Sequence, residues 1–218
     1  MARLKQRFPR LPLCLTLDGL YAGGPTFSLC EQYQWAYLVV LQDADIPYIN
    51  DEFAALSKLA PEQHRRFETG VQFEIQQDFR WVNDIAYVDS DKQAHTVAVI
   101  ACAETKPDRH QQLKTTRFKW VTNVKVTPSN VIPLANQGGR PRWKIENEGF
   151  NVQKNGGYAL EHRYSEDPVA SKVFYLLLQI AHLLAQLIER GSLFRRPFPK
   201  GVGSAKNIAF RLLEAWRN

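Results

Sequence analysis

A chain of 218 residues, 44% of them hydrophobic, is long enough for one domain or one and a half and apolar enough to bury a core, which excludes general disorder. A formal net charge of +6 and a pI of about 9.3 suit a polyanionic partner such as nucleic acid. Cys14, Cys30 and Cys102 form no CxxC pair, so they read as buried free thiols and exclude a disulfide framework or a zinc site.

In chain order, an apolar run over residues 13–17 predicts a strand that ends at Asp18 and opens into a turn carrying Gly19, Gly23 and Gly24. An acid at the end of a buried strand is placed to bind a metal at a sheet edge, although a turn Asp meets the same pattern. A helix is expected around residues 27–35, a strand over 36–41 and a short helix over 51–59. Residues 62–130 are β-rich. Strand-like runs lie at 71–75, 80–82, 85–88, 95–102 and 118–126, separated by polar turns such as Asp89, Ser90, Asp91 and Lys92.

Pro141 suits a helix start and Asn155, Gly156 and Gly157 a stop, so residues 142–154 are expected to be helical. On a regular helix Arg142 and Glu146 stand one turn apart on one side. Such a pair is either a surface ion pair or an acid held ionised beside a phosphate-binding Arg. Glu161 and His162 follow in a loop and are assigned no role. Residues 173–188 form an apolar stretch interrupted by Gln179, His182 and Gln186 at helical spacing; it reads as a buried amphipathic helix rather than a membrane span, with His182 a satisfied core or boundary residue. The run from Gly201 to Lys206 lacks the spacing of a phosphate loop and reads as a linker into a last amphipathic helix over 207–216. Basic residues concentrate at 3–10, 106–119, 140–144 and 190–206. The basic N-terminus lacks the apolar stretch of a secretory signal, so a cytoplasmic location is expected.

Two of these segments resemble DDE transposases of bacterial insertion sequences. The strand ending at Asp18, with Tyr21 three residues on, is similar to the second-acid strand of that family. Arg142 through Glu146 resembles its third-acid motif, in the group with a Tyr-x2-Arg-x3-Glu-x6-Lys signature. Gly139 stands where the signature has Tyr, and Gln153 where it has Lys, with Lys154 one residue later. The resemblance covers residues 11–190 and implies an α/β chain with an incomplete RNase H-like core, a β-rich insertion and a C-terminal helical part. Residues 11–61 would be the partial core, 62–130 the insertion, 131–190 the helical return carrying the last acid, and 191–218 a tail helix.

The resemblance further implies that Asp18 and Glu146 are catalytic acids and ligands of Mg²⁺ or Mn²⁺, while Arg142 and Lys154 steady phosphate. Trp120 would supply the aromatic face against which a flipped base stacks at a transposon end. DNA is the implied partner, both element ends and target, together with an intact transposase or a second copy of the chain. No membrane partner is implied, and the location is the nucleoid of a bacterial cytoplasm. No Asp or Glu precedes Asp18, whereas DDE chemistry uses three acids. The chain is therefore expected to be a truncated copy or C-terminal fragment, inactive alone. The alternative is a non-catalytic DNA-binding remnant that occupies element ends or pairs with intact transposase.

Overall fold

The computed structural model describes residues 1–71, 74–191 and 203–217. The chain divides into two compact units, Met1–Arg142 and Trp143–Asn218. Its expected tail partly escapes description: residues 192–202, including the Gly201 end of the linker and most of the basic run at 190–206, lie outside the described residues, as do positions 72 and 73 of the strand expected at 71–75.

The first unit is built on one mixed sheet of six strands in the order β1-β2-β6-β5-β4-β3. The strands are β1 (Cys14–Leu17), β2 (Ala36–Val40), β3 (His64–Thr69), β4 (Ile75–Val88), β5 (Ala94–Pro107) and β6 (Leu113–Thr122). Helix α1 (Ala2–Arg7) precedes them, α2 (Gly24–Tyr33) links β1 to β2, and α3 (Pro47–Leu59) follows β2. Strand β1 pairs parallel to β2, as the intervening helix requires, and every other pairing is antiparallel. Strand β6 adds directly to β2, with Val40 opposite Trp120, so residues 11–61 and 62–130 contribute to a single sheet.

The local signals explain these elements. Pro25 and Pro47 sit in the first turns of α2 and α3, where a missing N–H costs nothing. Gln34 ends α2 in the left-handed region at φ 54°. Alternation along the strands sorts the core into two layers. Tyr37, Val39, Val97, Val99 and Val121 join Phe27 of α2 and Ile49 and Phe53 of α3 on one face. Leu38, Ala98, Ile100 and Trp120 join Val131 and Ala135 on the other. The stacking of Phe27 on Tyr37, at 5.0 Å between centroids, anchors the first layer.

Strand β3 has no counterpart among the expected runs. Its sequence is His-Arg-Arg-Phe-Glu-Thr, a charged strand at the sheet edge, where charge discourages pairing with other chains. The reading of all three cysteines as buried is corrected at one position. Cys30 and Cys102 are buried, but Cys14 is exposed because β1 is the opposite edge strand. Burial pushes the Cys30 thiol up to about 11 and that of Cys102 to about 12, so neither is a ready nucleophile.

A buried imidazole ties α2 to the β4–β5 turn. His95 Nδ1 lies 3.1 Å from Glu31 and its Nε2 3.1 Å from Asp89. Burial alone would lower the His95 pKa, but the two carboxylates outweigh it and hold the ring above its ordinary value. The amide of Gln93 is the largest influence holding Asp89 below the usual carboxylate range, with His95 and Asp91 adding to it against burial. Stability from His95 is therefore fully present below about pH 6.5 and lost as pH rises through its raised folded value; that from Asp89 is present above about pH 4 and lost as pH falls through its lowered one. Thermal melts should show Tm falling as pH rises above about 6.5 in the wild type, and His95→Gln should remove that part of the fall.

In the second unit, α4 (residues 151–155), α5 (Pro168–Arg190) and α6 (Ala205–Arg217) are regular helices. Asp167 caps α5 by accepting from the Ala170 amide at 2.7 Å, and Pro168 opens the helix. The expectation of a buried amphipathic helix over 173–188 is corrected: His182 is the one buried residue among those of α5. Leu176, Leu177, Ile180, Leu183, Leu184 and Leu187 are exposed. Gln179 and His182 instead face Gln153 of α4, because their polar atoms find hydrogen-bond partners there. By length and composition α5 is apolar enough to cross a membrane.

Candidate functional site

Asp18 stands where the chain leaves parallel strand β1. Its Oδ1 accepts from the Gly19 amide at 2.8 Å, capping the turn Gly19–Tyr21. Its Oδ2 lies 3.6 Å from Arg142 Nη1, and both side chains remain partly exposed. Arg142 ends a 3-10 turn, Arg140–Arg142, that follows a π-helical segment, Leu134–Gly139. The structure thus brings together two residues that the sequence places on separate elements, both within the first unit.

The carboxyl ends of parallel strands are where open α/β sheets commonly form a ligand crevice. Two further acids lie in the loop after β2. Asp45 Oδ2 accepts from the Gln42 amide at 2.7 Å, and a Cβ on Gly19 would come within 2.8 Å of that oxygen. Asp43 pairs with Lys119 at 2.8 Å, and Lys119 also donates to Asn50. That hydrogen bond, reinforced by the ammonium charge, holds the Asp43 carboxyl below its usual range. Asp18 with Arg142, Asp45 beside Gly19, and Asp43 with Lys119 thus follow the ends of β1 and β2. Asp43 and Asp45 carry no expectation from the sequence and Lys119 only as the end of the basic run 106–119; the Asp-Ala-Asp after a strand-like run is the available signal.

Glu146 and Lys154 belong to the second unit. Glu146 is exposed on a π-helical segment, Ile145–Phe150, so the regular helix expected over 142–154 is corrected to 3-10, π and α turns in succession. Lys154 is exposed and pairs with Glu161 at 2.6 Å, which gives Glu161 a partner within the unit. Trp120 is a core residue, 2% exposed, stacked on Phe118 at 5.8 Å and closed over by Gly139. The open ring face that base stacking requires is absent.

At positions 139 and 153 the packing of this chain opposes the residues that the resembled signature has there. At Gly139 a Cβ would meet Trp120 Cε2 and Nε1 at 2.5 Å, leaving no room for Tyr. Gln153 is buried and exchanges hydrogen bonds with Gln179 at 2.9 and 3.0 Å while donating to His182 Nδ1 at 2.8 Å. A Lys at 153 would place an ammonium among amide and imidazole groups, none of which carries a negative charge. Gln153→Lys should cost about 2–4 kcal/mol in urea unfolding, tempered by the freedom of the Lys stem to reach water. Lys154→Gln should stay within about 0.5 kcal/mol, since it loses only a surface pair.

A divalent Mg²⁺ or Mn²⁺ ion needs several oxygen ligands at one point. Asp18 is met by a guanidinium, Asp43 is committed to Lys119, and among the described residues no group of three His, Cys, Asp or Glu gathers to hold an ion. The residues as arranged do not fit such a metal. What the Asp18–Arg142 pair can do is hold a partly exposed guanidinium in place at the end of β1, a group suited to an anion. No protein-family model and no curated protein matches the chain.

Proposed function

We propose that the chain is a transposase-derived DNA-handling protein that binds DNA through its basic surface and does not cleave it by itself. The observation that carries this reading is the Asp18–Arg142 pair at the carboxyl end of a parallel strand, because it joins the two motifs that resemble the second and third acid segments of DDE transposases. The parallel β1–β2 pair linked by α2 is the part of the sheet compatible with an RNase H-like core. Within such a core, Asp18 and Glu146 correspond to acids that hold Mg²⁺ in an intact relative, and Arg142 and Lys154 to groups that steady phosphate. Among the described residues no group of three such acids gathers at one point, and the proposal is carried forward in its non-catalytic form. It would then occupy element ends or pair with an intact transposase or a second copy in a bacterial nucleoid.

Plasmid nicking and strand transfer by the purified chain, with Mg²⁺ and with Mn²⁺, test this. The expected result is no product from either the wild type or Asp18→Asn. Robust nicking by the wild type that Asp18→Asn abolishes would overturn the non-catalytic reading and make Asp18 a catalytic residue.

A further inference from the structure

The basic run at 106–119 is the distal half of the β5–β6 hairpin. Strand β4 pairs with β5 as far as Gln76 opposite Thr105, so Lys106 to Leu113 extend past it as a two-stranded ribbon. Lys106 and Lys114 are register partners, directly opposite each other. Like charges in that position destabilise a ribbon, and folding alone gives no reason for them. Lys106 pairs with Glu104 at 3.5 Å, but that carboxylate already binds Arg140 and Gln77. Asp108 is spent on the turn, where it accepts from the amides of His110 and Gln112.

Strand alternation puts the remaining cations on the other face. Arg117 lies opposite Ala103, and Lys119 is aligned through Ala101 with Arg80 of β4. Lys114, Arg117 and Arg80 are exposed and take part in no ion pair among the described residues. The ribbon itself carries Lys106 and Lys114 on one face, and Arg117 and Arg80 stand on the other face farther in, where β4 joins the sheet.

We infer that this hairpin is an arm that contacts the phosphate backbone of duplex DNA. The inference rests on the DNA-handling reading and adds where the duplex is held. A two-stranded ribbon fits the major groove, where Lys106 and Lys114 would meet one row of phosphates while Arg117 and Arg80 at its base meet the adjacent backbone. Apolar partners are disfavoured by the same charges.

The test is fluorescence anisotropy with a short duplex across a salt series. It uses the full chain, the variant Lys106→Ala/Lys114→Ala/Arg117→Ala, and a charge-matched control, Lys58→Ala/Lys92→Asn/Lys172→Ala. All the replaced side chains are exposed, and circular dichroism melts confirm that both variants fold. The wild type and control should bind alike. The arm variant should lose tenfold or more in affinity at low salt, and its slope of log K against log salt should fall by roughly 0.9 for each phosphate contact removed. Equal weakening by arm variant and control, or no weakening, would overturn the arm while leaving DNA binding intact. Failure of the wild type to bind would overturn the DNA-handling reading and the arm with it. A loss confined to single-stranded DNA would overturn the assignment to duplex.

Discussion

Gly139→Tyr is expected to unfold the first unit or leave it severely weakened, and Gly139→Ala to cost about 1–2 kcal/mol. The added Cβ would stand 2.5 Å from Trp120 Cε2 and Nε1 and 2.9 Å from Leu38 Cδ2. Neither neighbour can yield cheaply: both are almost fully buried, and Trp120 is held against Phe118 with its ring nearly parallel. In a helix Ala gains up to about 1 kcal/mol over Gly, while overpacking a dense core costs about 1–3 kcal/mol and occasionally more. The overpacking term wins for Ala and dominates for Tyr. Urea denaturation followed by Trp fluorescence measures both. Stability of Gly139→Tyr equal to wild type would mean that the segment 134–139 does not pack on Trp120 as described.

Glu104→Ala should cost about 3 kcal/mol, the second large effect. Glu104 is 2% exposed, and its carboxylate receives Arg140 through both guanidinium nitrogens and Gln77 Nε2 at 2.8 Å. Asn136 donates to Gln77 at 2.8 Å, and Arg140 lies 4.7 Å from the Phe118 ring centre, so the acid pins the segment that leads to Arg142 onto the sheet. Removing one partner of a buried pair costs about 3–5 kcal/mol; the lower end applies because Arg140 is a quarter exposed and can regain some water. Burial alone would raise the Glu104 carboxyl, but Arg140 and Gln77 outweigh it and hold it below its ordinary value. Its contribution is then fully present above about pH 4.3 and lost as pH falls through the lowered folded value. Urea melts at pH 7 and pH 3 should differ less for Glu104→Ala than for wild type. An unchanged wild-type stability at pH 3 would count against the pair.

The strands and helices of residues 13–59 were legible because their apolar runs are short, bounded and rich in β-branched residues or opened by Pro. The charged edge strand β3 was not, since an edge strand need not alternate toward a core. The π turns around Glu146 were hidden for another reason: Arg142 and Glu146 at i,i+4 look helical whatever the local winding. Hydropathy along α5 showed which residues are apolar but not which stripe faces inward. That depended on Gln153 offering partners to Gln179 and His182, a contact between distant positions. Asp18 and Arg142 were named from motifs, yet their meeting, and the placing of Asp43, Asp45 and Lys119, followed only from the parallel pairing of β1 with β2 and the antiparallel addition of β6. Trp120 shows the reverse lesson, since an aromatic that suits a base also suits a core.

The most direct test of the central claim is the binding of supercoiled plasmid by the purified chain in Mg²⁺, followed over a salt series by gel mobility. A retarded complex that dissolves steadily as salt rises is expected, with every plasmid molecule recovered supercoiled. No retardation at low salt would contradict the assignment of this protein to DNA, and open circles in the recovered plasmid would contradict its lack of cleavage.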